Sequence, residues 1–72
     1  MKLKELLKVV PNDNLRIFYT DKRNITFVLF IGLKEDLESC ERMNSRMDSE
    51  VVEVYSRMTG AYETALNITI KE

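Results

Sequence analysis

Four carboxylates, Glu35, Asp36, Glu38 and Glu41, crowd into one seven-residue stretch. Grouped acids can hold a metal, run acid–base catalysis or oppose a basic partner. A metal is not expected: a calcium loop needs a different ligand spacing, and Glu38 with Glu41 gives at most a weak Mg²⁺ contact from one helix. Catalysis by carboxylates alone requires a concave pocket that raises one carboxyl pKa, which spacing by itself does not supply. What remains is an acidic helix face. It either meets a basic groove on a partner, such as the nucleic-acid channel of a host nuclease, or is simply solvated.

A second charged group has the opposite sign. Lys4, Lys8, Arg16, Lys22 and Arg23, together with Lys2, make the first third of the chain basic. Phe18 or Tyr19 could give that region a stacking face for single-stranded nucleic acid. The same aromatics serve equally well as core, so nucleic-acid binding stands as the alternative reading. Cys40 is the only thiol and has no imidazole to activate it. Acidic Glu41 beside it disfavours the thiolate, and a half-buried structural role is expected.

The residue types that are missing exclude more chemistry than the charges suggest. The chain has no His, no Trp and one Cys. There is then no imidazole base, no Ser-His or Cys-His nucleophile, no disulfide framework and no ordinary zinc site. A non-enzymatic protein without cofactor is expected. With 44% hydrophobic and 32% charged residues the composition is that of an ordinary soluble domain. The net charge of -1 argues against both a general DNA binder and a DNA mimic. Divided along the chain, however, residues 1 to 24 carry +3 and residues 35 to 53 carry -5.

Seventy-two residues make one domain, residues 1–72, near the lower size limit for folding alone. Leu3, Leu6, Leu7 and Val10 recur at helical spacing, and Pro11 ends that helix. The form Leu3-Lys4-Glu5-Leu6-Leu7 also fits a short docking helix, although a chain this small needs those leucines for its own core. Leu15 to Thr20 alternates as a strand with Leu15, Ile17 and Tyr19 on one side, and residues 21–24 make a polar hairpin tip. The returning strand, Ile25 to Ile31, is apolar on both faces and is expected to be central and covered on both sides. After Gly32 the stripe Leu33, Leu37, Cys40, Met43 or Asn44, and Met47 predicts a second helix, with Glu38 and Arg42 paired one turn apart. Glu50 to Arg57 and Ala65 to Lys71 then form a second hairpin, with Leu66, Ile68 and Ile70 inward and Asn67, Thr69 and Lys71 outward. The fold class is α+β in the order α-β-β-α-β-β, a mostly antiparallel four-stranded sheet packed with one or two helices. Met43, Met47 and Met58 are candidates for gap-filling in the core or for a contact in a homodimer.

The opening Leu3-Lys4-Glu5-Leu6-Leu7 with its Val10-Pro11 turn, the segment Asp48-Ser49-Glu50-Val51-Val52-Glu53-Val54-Tyr55 and the alternating strand Leu66 to Lys71 resemble a family of small phage and prophage proteins of Gram-positive bacteria. The resemblance covers about a third of the chain and implies a mobile-element origin without any catalytic signature. With no apolar run long enough for a membrane span or an export signal, the expectation is a cytoplasmic protein of a bacterial host cell. Its partner is expected to be a protein, as in an inhibitor of a CRISPR-like nuclease complex (an anti-CRISPR candidate). The acidic face Glu35, Asp36, Glu38 and Glu41 would make the contact.

Overall fold

The structure is a computed structural model that describes residues 1–11, 13–58, 60 and 64–71. Helix α1 (Leu3–Val9) forms where the leucines share one face, and it buries Leu3 and Leu7 while Leu6 is half-buried. Its first turn is closed at both ends of the local ladder. The Glu5 carboxylate accepts the Lys2 backbone N–H at 3.0 Å, and the N–H groups of Leu3 and Lys4 donate to the carbonyls of Ser49 and Met47, each at 2.9 Å. Donors that a helix start leaves unpaired are thereby used to fasten α1 to a distant segment. The docking-helix leucines are committed to the core.

Four strands follow: β1 (Asn14–Thr20), β2 (Thr26–Leu33), β3 (Glu50–Met58) and β4 (Thr64–Lys71). They lie in the order β2-β1-β4-β3. Both hairpins are antiparallel, while β1 and β4 run parallel at the centre. Parallel pairing sets Leu15 opposite Leu66, Ile17 opposite Ile68 and Tyr19 opposite Ile70. All six are buried, and α1 with the segment after β2 packs over them through Leu3, Leu7, Val10, Leu37 and Met43. Arg46 lies 4.4 Å above the Tyr19 ring, a cation–π contact that closes the same side. The domain is therefore two layers, α+β, with helical segments on one face of a mostly antiparallel sheet. Among the described residues no helix is long and apolar enough to cross a membrane.

Three expectations from the sequence are overturned. Asn67, expected outward on β4, is 1% exposed, buried between its cross-strand neighbours Arg16 and Tyr55. Strand β2 is not central and covered; it is an edge strand, and Phe27, Val28, Ile31 and Leu33 are exposed. The centre is taken by β4, because β1 can pair on its second side only with one strand and β4 offers the matching apolar alternation. The second helix is also not continuous. Lys34–Ser39 is a 3-10 helix, Cys40 adopts an extended backbone with φ -89° and ψ 104°, and α2 spans only Glu41–Asn44. The predicted stripe survives this break, since Leu37 and Met43 are buried and Cys40 and Met47 half-buried. Leu33 leaves it and belongs to β2. The extended residue at Cys40 re-phases the chain so that Leu37 and Met43 both reach the core, at the cost of the Glu38–Arg42 helical pair.

Ile68 has no exposed surface, whereas its cross-strand neighbour Val54 is 42% exposed. Ile68→Ala is expected to destabilise the domain by about 2–5 kcal/mol, a large share of the roughly 4–11 kcal/mol available to a chain of this length. Val54→Ala should stay within about 0.5 kcal/mol. Urea unfolding followed by circular dichroism checks both, and equal losses at the two positions would contradict the assigned centre of the sheet.

Candidate functional site

Leu37 fixes the acidic segment. Its side chain enters the core, and in a helix with three residues per turn this turns its neighbours outward and aligns Glu35 with Glu38. The segment is pinned at its start, where the Lys34 backbone N–H donates to the Asp13 carbonyl and the Lys34 ammonium to the Val10 carbonyl, both at 2.7 Å. Glu35, Asp36, Glu38 and Glu41 are all exposed. Asp13, Lys34, Glu35 and Glu38 border a shallow depression of about 450 Å³. Lys34 among them offsets part of the negative charge. Among the described residues, no three His, Cys, Asp or Glu side chains converge as a metal would require. The four acids thus form an exposed ridge, spread over two short segments instead of one helix face.

The basic group is dispersed. The Lys4 ammonium lies 2.8 Å from the Asp48 carboxylate, and this hydrogen bond holds the Lys4 pKa above, and that of Asp48 below, the ordinary value. Lys8 is exposed on α1, on the helical side of the sheet. Arg16 points to the opposite side, because it alternates with buried Leu15 and Ile17. Lys22 and Arg23 sit at the hairpin tip. Five cations on two faces and one end do not make a single groove. Tyr19 is buried beneath Arg46 and offers no stacking surface, while half-buried Phe18 faces the side without helices.

That tip is built by one carboxylate. Asp21 accepts the backbone N–H groups of Arg23 at 2.9 Å and Ile25 at 3.0 Å, and the Arg23 guanidinium at 3.2 Å. Asn24 completes the turn at φ 65°, a left-handed conformation that Asn tolerates. Lys22 and Arg23 are consequently presented from an ordered turn beside the start of β2.

Sequence reasoning missed the surface that β2 exposes. Residues facing one another across a strand pair share a face of the sheet. The register therefore puts Thr26, Val28, Ile31 and Leu33 on the side without helices, along with Phe18 and Arg16. Ile31 is 64% exposed. Farther across the same face, Asn67 is buried between its cross-strand neighbours Arg16 and Tyr55. The signal available in the sequence was the run Thr26-Phe27-Val28-Leu29-Phe30-Ile31-Gly32-Leu33, which holds no charge and no proline. No protein-family model, curated protein or solved structure matches the chain.

The hydrogen bonds from Ile25 and Arg23 hold the Asp21 carboxyl below its ordinary pKa of 3.8. A carboxyl whose folded-state pKa is lowered stabilises the fold above its unfolded-state value, and that contribution is lost as pH falls through the folded-state value. An NMR titration of Asp21 is expected to show a midpoint under 3.8, and Asp21→Ala should flatten the acid side of the stability profile. A midpoint at or above the ordinary value would contradict this account of the turn.

Proposed function

We propose that the chain is a non-enzymatic binding protein of phage type that works by protein contact in the cytoplasm of a bacterial host. The observation that carries this reading is an apolar edge strand, β2, that runs without a break into the exposed acidic ridge of Glu35, Asp36, Glu38 and Glu41. Exposed apolar surface beside a charged rim is the usual composition of a protein-binding surface. The ridge suits a basic partner surface, such as the nucleic-acid channel of a CRISPR-like nuclease, where charge accelerates encounter and excludes wrong partners. The lack of His in the sequence supports a binding role over a catalytic one. The alternative, single-strand nucleic-acid binding through Lys4, Lys8, Arg16, Lys22 and Arg23, is less well supported by cations spread over both faces.

The test replaces Glu35, Asp36, Glu38 and Glu41 together by Lys. Tagged wild-type protein is expected to retain a specific host protein that elutes with rising salt. The variant should bind it at least roughly tenfold more slowly, with its thermal unfolding curve intact. Equal retention by both proteins would overturn the acidic-ridge reading. A salt-dependent rise in fluorescence anisotropy with single-stranded oligonucleotide would favour the alternative in its place.

A further inference from the structure

The two edges of the sheet are not alike. Strand β3 carries Glu50, Glu53 and Arg57, and its first residues are already engaged: Lys2 bridges to Glu50, and the Val51 N–H donates to the Met1 carbonyl at 2.8 Å. Charges and a covering segment are how proteins keep an edge from pairing with another chain. Strand β2 carries no charge, and among the described residues no segment pairs with its outer edge. Its outer backbone groups border eight residues without a charge or a proline, which predicts that a further strand completes the edge.

The pattern of β2 is self-complementary. Leu29 is the extra residue of a β-bulge, since Ile17 pairs with Phe30 and Phe18 with Val28, and Leu29 is buried on the helical side. Thr26, Val28, Ile31 and Leu33 therefore lie on the open face, and Phe27, Leu29, Phe30 and Gly32 on the helical face. That sequence of faces reads the same in both directions about the Leu29–Phe30 junction. A regular eight-residue strand cannot do this, because its first and last residues fall on opposite faces. The bulge supplies the missing step. Paired antiparallel with itself, β2 sets Thr26 opposite Leu33 of a second copy, Phe27 opposite Gly32 and Val28 opposite Ile31, each on a common face. The bulge that would ordinarily turn an edge away lies at the two-fold axis, where the second copy carries the same bend.

Charge completes the match. In that antiparallel pairing the exposed tip of one copy, Lys22 and Arg23, and the exposed Glu35 and Asp36 of the other fall at the same end of the seam. The two-fold repeats this at the far end, so opposite charges lie at both ends. We propose that the occupant of the β2 edge is a second copy of this chain, forming a symmetric dimer with one continuous eight-stranded sheet. The proposal rests on the protein-contact reading above and specifies its first partner.

Sedimentation equilibrium of the wild-type chain is expected to give twice the mass of one chain, with dissociation on dilution. Arg23→Asp and Asp36→Arg should each raise the dimer dissociation constant several-fold, and the double variant should restore it. For register, Val28→Cys with Ile31→Cys in a Cys40→Ser background is expected to give a covalent dimer on mild oxidation, because facing residues lie within disulfide reach at about 4.5–5.5 Å. Val28→Cys alone should stay uncrosslinked, its symmetry mate being roughly 10 Å along the strand. A chain that is monomeric at every concentration, or single and double cysteine variants that crosslink equally, would overturn the inference. A wild-type chain that dimerises but captures no host protein would count against the host-partner reading alone.

Discussion

Parallel pairing between β1 and β4 joins the first strand of the chain to the last and lays Leu15, Ile17 and Tyr19 alongside Leu66, Ile68 and Ile70. This buried floor is the surface on which α1 and the segment after β2 rest. A domain this small has no second core to compensate for a defect in the first. Every other placement follows from that central pair. Once β1 and β4 occupy the middle, their hairpin partners β2 and β3 must lie outside, and the helical segments crowd onto the one face that needs cover.

The arrangement separates the chemistry of the surface as well. Fastening α1 to Met47 and Ser49 neutralises Lys4 against Asp48 and occupies the start of β3. Fastening Lys34 to Val10 and Asp13 throws Glu35, Asp36 and Glu38 outward at the end of β2. The near-neutral total of the sequence thus resolves into an acidic ridge at one end of the β2 edge and a basic tip at the other. Between them lies an apolar strand, and these three elements together make a surface that is complementary to itself under a two-fold rotation.

Much of the fold was legible in the sequence because it follows from local periodicity. The leucine stripe of α1, the alternation of β1, the inward Leu66, Ile68 and Ile70 of β4 and the polar tip at residues 21–24 all appear where the pattern places them, and so does the α+β class, whereas Asn67 is buried against expectation. The position of β2 was not legible. A strand apolar on both faces reads as covered on both, yet the pattern cannot distinguish cover by the same chain from cover by another. The break at Cys40 was hidden for a related reason: a stripe at three-to-four spacing is kept by a 3-10 turn, an extended residue and a short α-turn as well as by one helix. For the candidate site, the four acids were visible as a cluster, and their exposure follows from Leu37 being buried. The dispersal of the basic residues was not visible, because alternation on β1 turns Arg16 away from α1 only once the covered face is known.

Residue-resolved amide hydrogen exchange at low and high chain concentration addresses the central claim, that β1 and β4 form the middle of the sheet and leave β2 as an edge for a second copy. The account predicts the slowest exchange in β1 and β4 at both concentrations, β3 unchanged by concentration, and slowing of the outward-facing amides of β2 as concentration rises. Amides of β2 protected as strongly as those of β1 in dilute solution would contradict it, as would exchange in β2 that ignores concentration altogether.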